Sequence, residues 1–173
     1  MPLTISESGG ITSGTSYAFV FSNAAGLSTA RNTRPAWLCG WNGSLAVSTA
    51  WVIPTGWVTP LFNIGGYFNT STGKFTAPIS GRYLLIGSIL KNSSAVCTRS
   101  EFFVNERASS CQFRTSEGYT GYNEAMAHER VVYASAGDTL SWRHYADAAT
   151  SIYNDAGGGA TGAYNYFGGI LLG

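Results

Sequence analysis

Apolar residues along this chain come in short bursts, some alternating with polar residues and some continuous, and turn-forming residues cut the bursts apart. From Trp37 onward no stretch keeps a helical period over a useful length, whereas short segments bounded by Gly, Pro, Asn, Asp and Ser are what antiparallel strands need. The pattern predicts an all-β sandwich of two antiparallel sheets. Asn42-Gly43 suits the centre of a tight primed turn, which predicts a hairpin with Trp41 opposite Ser44 and with Trp37 and Cys39 on one strand face. Further turns are predicted at Ser71-Thr72-Gly73, Ser80-Gly81, Asn105-Glu106 and Ala136-Gly137-Asp138. Gly157-Gly158-Gly159 reads as a loop, residues 164–172 as a buried closing strand and residues 123–130 as loop or strand.

Residues 1–32 have a different texture, rich in Gly, Ser and Thr, with a single apolar patch carrying Tyr17, Phe19 and Phe21. This reads as an N-terminal anchoring arm ahead of a folded domain over residues 33–173. The patch either adds a strand to its own domain or folds on a partner.

Composition sharpens the picture in one respect. Hydrophobic residues make up 45% of the chain and aromatics 14%, enough for a real core, but charged residues only 11%. Soluble domains carry roughly 25% charged residues. A Ser/Thr/Asn/Gly skin, together with burial of part of the surface against other subunits, is the expected substitute. The net charge of +1 offers no field for a phosphate backbone, so nucleic acid is not an expected partner. No apolar run is long enough to cross a bilayer, and the residues after Met1 lack the order of a secretory signal, so no membrane partner is expected.

Candidate chemistry is sparse. Cys39, Cys97 and Cys111 have no metal-ligand spacing and read as small buried thiols, with a Cys97–Cys111 bridge left open. His128, His144, several carboxylates and many serines are present, yet there is no Gly-x-Ser-x-Gly elbow, no His-Glu-x-x-His and no phosphate loop. Both histidines read as structural, Asp138 as a turn residue, and Asp147 with Asp155 as a weak oxygen-ligand pair. Sequons at Asn42, Asn69 and Asn92 read as chance in so Asn/Ser/Thr-rich a chain. No catalytic residue, metal or cofactor is expected.

The middle of the chain resembles the complement C1q-like family of the tumour-necrosis-factor superfamily. Asn63, Phe68, Phe75, Gly81 and Tyr83 stand at the family's intervals, and residues 73–78, Gly-Lys-Phe-Thr-Ala-Pro, are close to its usual wording. Arg34-Pro35-Ala36-Trp37, Ala136-Gly137-Asp138 and Phe167-Gly168-Gly169-Ile170-Leu171-Leu172 extend the resemblance to about four-fifths of the chain. Trp57 replaces the family's first Phe, and Leu85 and Gly87 stand where two aromatics are usual. On physical grounds Phe68, Phe75 and Tyr83 are expected on one inner face, with Gly81 supplying a positive φ or a turn.

The resemblance implies a jelly-roll sandwich that assembles as a homotrimer, with the closing strand near the axis. By position, Trp142, Tyr145, Tyr164, Tyr166 and Phe167 are candidates for the trimer seam or its adjoining core. Stand-alone domains of this kind resemble those of phage virion proteins. The functional expectation is therefore a non-enzymatic structural protein on a virion surface, of capsid decoration, cement or tail-fibre-head type, made in the host cytoplasm. Residues 1–32 would hold it to other virion proteins. The alternative is a receptor-binding knob or lectin-like module, gripping a host cell-surface glycan or protein with loops around Tyr119, Tyr122 and Tyr153.

Overall fold

A strand sends successive side chains to opposite faces, so in Leu140-Ser141-Trp142-Arg143 only Leu140 and Trp142 are committed to a core between sheets. The computed structural model describes residues 4–5, 11–12, 34–41, 43–57, 61–91, 96–109, 113–114, 124–152 and 165–173, none of them helical. The chain divides into two units, Met1–Arg34 and Pro35–Gly173. In the first, β1 (Thr4–Ile5) pairs antiparallel with β2 (Ile11–Thr12).

The second unit begins with β3 (Ala36–Gly40), β4 (Leu45–Val47), β5 (Phe62–Ile64), β6 (Phe68–Asn69) and β7 (Lys74–Thr76). There follow β8 (Gly81–Lys91), β9 (Thr98–Val104), β10 (Arg107–Ala108) and β11 (Phe113–Arg114). It ends with β12 (Glu124–Ala134), β13 (Thr139–Ala146), β14 (Thr150–Ile152) and β15 (Tyr166–Leu171). A seven-stranded first sheet runs β4-β14-β8-β15-β3-β5, with β12 on the free side of β8. A six-stranded second sheet runs β10-β9-β13-β7-β6, with β11 also on β9. Every described pairing is antiparallel, and apart from β6–β7 and β9–β10 the paired strands of the two sheets are not consecutive in sequence, as a jelly-roll sandwich requires.

The core between the sheets is aromatic. Trp37 stacks on Phe75 at 3.8 Å between ring centroids, and Phe167 meets Trp37, Phe68 and Phe102 within 6.0 Å. Trp57 closes one end, with its Nε1 donating to Pro54 O at 2.8 Å. The Asn63 amide holds the β5–β6 corner by bonding Phe68 twice, donating to its carbonyl at 2.9 Å and accepting from its N–H at 3.1 Å. The Asn105-Glu106 turn joins β9 to β10 with both residues at positive φ, 47° and 66°, as a primed hairpin demands.

Three local expectations are corrected. The pairing of β3 with β4 is not made: β3 spends its two edges on β15 and β5, β4 pairs with β14, and the Trp41 N–H donates to Asn165 O, while Asn42 of the expected turn lies outside the described residues. Phe68 and Phe75 lie on neighbouring strands of the second sheet, but Tyr83 lies on the first, so the three meet across the sandwich rather than on one face. Gly81 is not at positive φ, which leaves its turn reading; a Cβ there would sit 2.7 Å from Leu171 Cδ1 and 3.1 Å from Gly173 O, so the corner is closely packed. The positive φ falls at Gly73, 66°, where a Cβ would also approach Pro54 O to 2.4 Å.

Candidate functional site

The outward face of the first sheet is built by register. Residues directly opposed in an antiparallel pair share a face. Val131 opposes Leu84, Leu84 opposes Ile170, Ile170 opposes Ala36 and Ala36 opposes Ile64, giving one apolar row across β12, β8, β15, β3 and β5. The adjoining row reads Glu129, Ile86, Gly168, Leu38 and Phe62. Leu38 lies over Gly168, where a Cβ would come within 2.9 Å of its Cδ1, so the row stays apolar across the missing side chain.

These side chains are presented to the outside. Phe62 is 45% exposed, Val131 49%, Ile170 39% and Tyr133 64%. Between the rows lies an apolar groove of about 370 Å³ lined by Phe62, Ile64, Leu84, Ile86 and Ile170 above the backbone of β3 and β15. Among the described residues, Arg82 and Glu129 are the charged positions whose register places them on this face.

The outward face of the second sheet has the opposite character. Glu106 takes Lys74 at 2.9 Å and Arg143 as ion-pair partners, and the hydrogen bond from Arg143, then that from Lys74, holds its carboxyl below the usual range. Arg99 pairs with Asp147 at 2.6 Å. The guanidinium of Arg143 lies 4.4 Å from the Phe103 ring centre and that of Arg99 5.0 Å from Tyr145, with Trp51 packed on both aromatics. Such pairs suit a solvated face with its own small packing layer. The described ion pairs are thus gathered on the second sheet, whereas Arg82 and Glu129 are the described charged positions on the outward face of the first.

Of the two histidines, His128 is half-buried and His144 belongs to the core. His144 is fully buried, with Nδ1 2.8 Å from Ser100 Oγ. Burial, then the nearby His128, pushes its pKa down to about 3, and burial lowers that of His128 to about 4. A serine beside an imidazole is half of a nucleophilic pair, but Ser100 is as buried as His144 and no substrate reaches either. Burial likewise raises the Cys39 thiol to about 12, which leaves it inert. Asp147 is engaged with Arg99, and no metal-holding cluster occurs among the described residues.

Of the seam-or-core candidates, Trp142 and Phe167 are core side chains, 1% and 0% exposed. Tyr166 projects from β15 on the outward face of the first sheet, beside Glu129, whereas Tyr145 is on the outward face of the second. Tyr164, the arm residues Tyr17, Phe19 and Phe21, the loop residues Tyr119, Tyr122 and Tyr153, and Cys111, Asn42, Asn92 and Asp155 lie outside the described residues. Of the motif residues, Phe68, Phe75 and Tyr83 are core and Asn63 ties a corner. Sequence reasoning overlooked Leu84, Ile86, Val131, Tyr133 and Ile170. The signal was present: Tyr83-Leu84-Leu85-Ile86, Val131-Val132-Tyr133 and Ile170-Leu171-Leu172 are continuous apolar runs, the mark of strands with apolar surroundings on both faces.

A family model described as the C1q domain matches residues 54–172. The chain belongs to the C1q domain family. Among solved structures, the globular domain of zebrafish complement 1qA is similar with a TM-score of 0.59 at 16% identity, covering 81% of this chain and 98% of that one. The Eiger TNF of S. frugiperda gives a TM-score of 0.62 at 16% identity over 82% and 94% of the two chains. Murine APRIL at pH 5.0 gives 0.57 at 12% identity over 80% and 99%. A search of curated proteins found no match. At these identities the likeness is one of fold, and in this C1q domain one departure from the expected aromatic pattern has a local explanation. Gly87, which stands where an aromatic is usual, leaves room that Trp142 fills: a Cβ at 87 would lie 2.8–2.9 Å from the indole ring.

Proposed function

We propose that this C1q domain is a non-enzymatic homotrimeric recognition module in which three copies close on the outward face of the first sheet. One observation carries the reading: the Val131–Leu84–Ile170–Ala36–Ile64 row and its neighbour form a continuous apolar face, while the ion pairs are gathered on the opposite sheet. An exposed apolar patch of this kind marks an interaction surface, and a closed ring of copies covers it without leaving an open end. The face is tested by Ile170→Glu. A charge there is tolerated by a solvated single copy and opposed in a seam, so the variant is expected to keep its far-UV circular dichroism and to sediment as a monomer. A trimer that survives the substitution would exclude this face.

The finer role we assign is structural, on a virion surface, with residues 1–32 as the holdfast. What supports it is the low charge of the chain and its division into two units, Met1–Arg34 and Pro35–Gly173. A chain lacking residues 1–32 is expected to assemble among its own copies and to be missing from purified particles. Truncated protein found on particles at the full amount would end this role.

A further inference from the structure

The outward face of the first sheet carries two opposite charges that do not meet within one copy. Arg82 lies on β8 in the row that Tyr133 opens and Leu172 closes, and Glu129 lies on β12 two rows away, opposite Ile86. Both are exposed, and among the described residues neither side chain has an ion-pair or hydrogen-bond partner. Arg82 and Ile86 are four residues apart on one strand, which sets the two charges roughly 13 Å apart along it. Arg130, next to Glu129 in the chain, belongs to the opposite face of β12.

The two charges have complementary surroundings. Glu129 borders a recess of about 360 Å³ lined also by Ile86, Ala127, His128 and Tyr166. Arg82 is flanked by Tyr133, 64% exposed, and Leu172, 46%, at the rim of the apolar face. A planar guanidinium stacks on a phenol ring and gives a carboxylate two donors at once, and the recess offers both groups.

Closing this face between copies without pairing these charges would take a cation and an anion out of water with nothing to offset the loss. One charge of each sign per copy is what a ring built by rotation can use. Each copy there meets its two neighbours through different patches, so its guanidinium can serve one neighbour while its carboxylate receives the other's. We propose that Arg82 of each copy pairs with Glu129 of the next, giving three ion pairs that fix the direction and register in which the apolar faces close. The pair rests on the trimeric reading above. It also constrains the ring: rotation moves no residue along the threefold axis, so the strands lean against that axis until the offset of roughly 13 Å falls within the span of the two extended side chains.

The test is the sedimentation mass of the full chain over a dilution series at pH 7.5, with far-UV circular dichroism as the check of folding. It compares the unaltered chain with Arg82→Glu, with Glu129→Arg, with the double variant carrying both, and with Glu129→Gln. Each reversal sets like charges against one another in the seam and should raise the concentration at which the trimer falls apart by roughly tenfold or more. Glu129→Gln should act in the same direction and less strongly. The double variant restores opposite signs and should recover most of the loss, which a merely structural role at either position would not allow. Reversals that keep the unaltered chain's dilution curve, or a double variant in which the two losses add, would overturn the pair and leave the seam standing. So would Glu129→Gln trimers that survive greater dilution, since that result sets the carboxylates against one another. An unaltered chain of single-chain mass at every concentration would overturn the seam, and the pair with it.

Discussion

Phe75 shows what a single residue contributes here. It is completely buried, stacked on Trp37 at 3.8 Å and edge-on to Tyr83 at 5.7 Å, so it fills the point where the two sheets approach. Phe75→Ala should lower unfolding free energy by about 3–5 kcal/mol, read as a fall in the urea midpoint at unchanged slope. A loss below about 1 kcal/mol would mean that the ring is not a core element. That Phe68, Phe75 and Tyr83 are core was legible from their type and spacing. Which sheet each belongs to was not, because the Ser80-Gly81 corner carries the chain from one sheet to the other and a turn signal does not say so. The two glycines teach the same limit: that Gly73 and Gly81 sit at turns could be read, whereas the need for positive φ at the first and for contact with Leu171 at the second is set by the packed neighbours.

Elements were legible where their signal is local and obscure where pairing is remote. Asn105-Glu106 makes its hairpin, since β9 and β10 are adjacent in sequence and only a two-residue turn separates them. Asn42-Gly43 carries the stronger turn signal, yet the strands on either side of it, β3 and β4, do not pair, because β3 has two edges and long-range partners take both. β8 illustrates a further consequence of packing. Its core side runs Tyr83, Leu85, Gly87, Ile89, and the gap at Gly87 is filled from the second sheet by Trp142. Gly87→Ala should therefore destabilise by roughly 1–3 kcal/mol through overpacking, although glycine-to-alanine in a strand ordinarily helps. Adding Trp142→Phe, which makes room, should recover part of that loss. Independent, additive effects of the two substitutions in thermal unfolding would count against the socket.

For the molecule as a whole, the sandwich was legible and the face it offers to partners was not. The conspicuous aromatics of the sequence, such as Trp142 and Phe167, close the core, whereas the exposed rows are largely aliphatic and come from five strands that sequence alone cannot set side by side. An 11% share of charged residues pointed to a covered surface, and register shows which face is apolar enough to be the one proposed. Covering it is the claim on which the recognition role and the effect of Ile170→Glu both depend. Sedimentation equilibrium of the full chain at neutral pH tests it most directly. The account predicts a single species of three times the chain mass that persists on dilution; a stable species of one chain mass at micromolar concentration would contradict it.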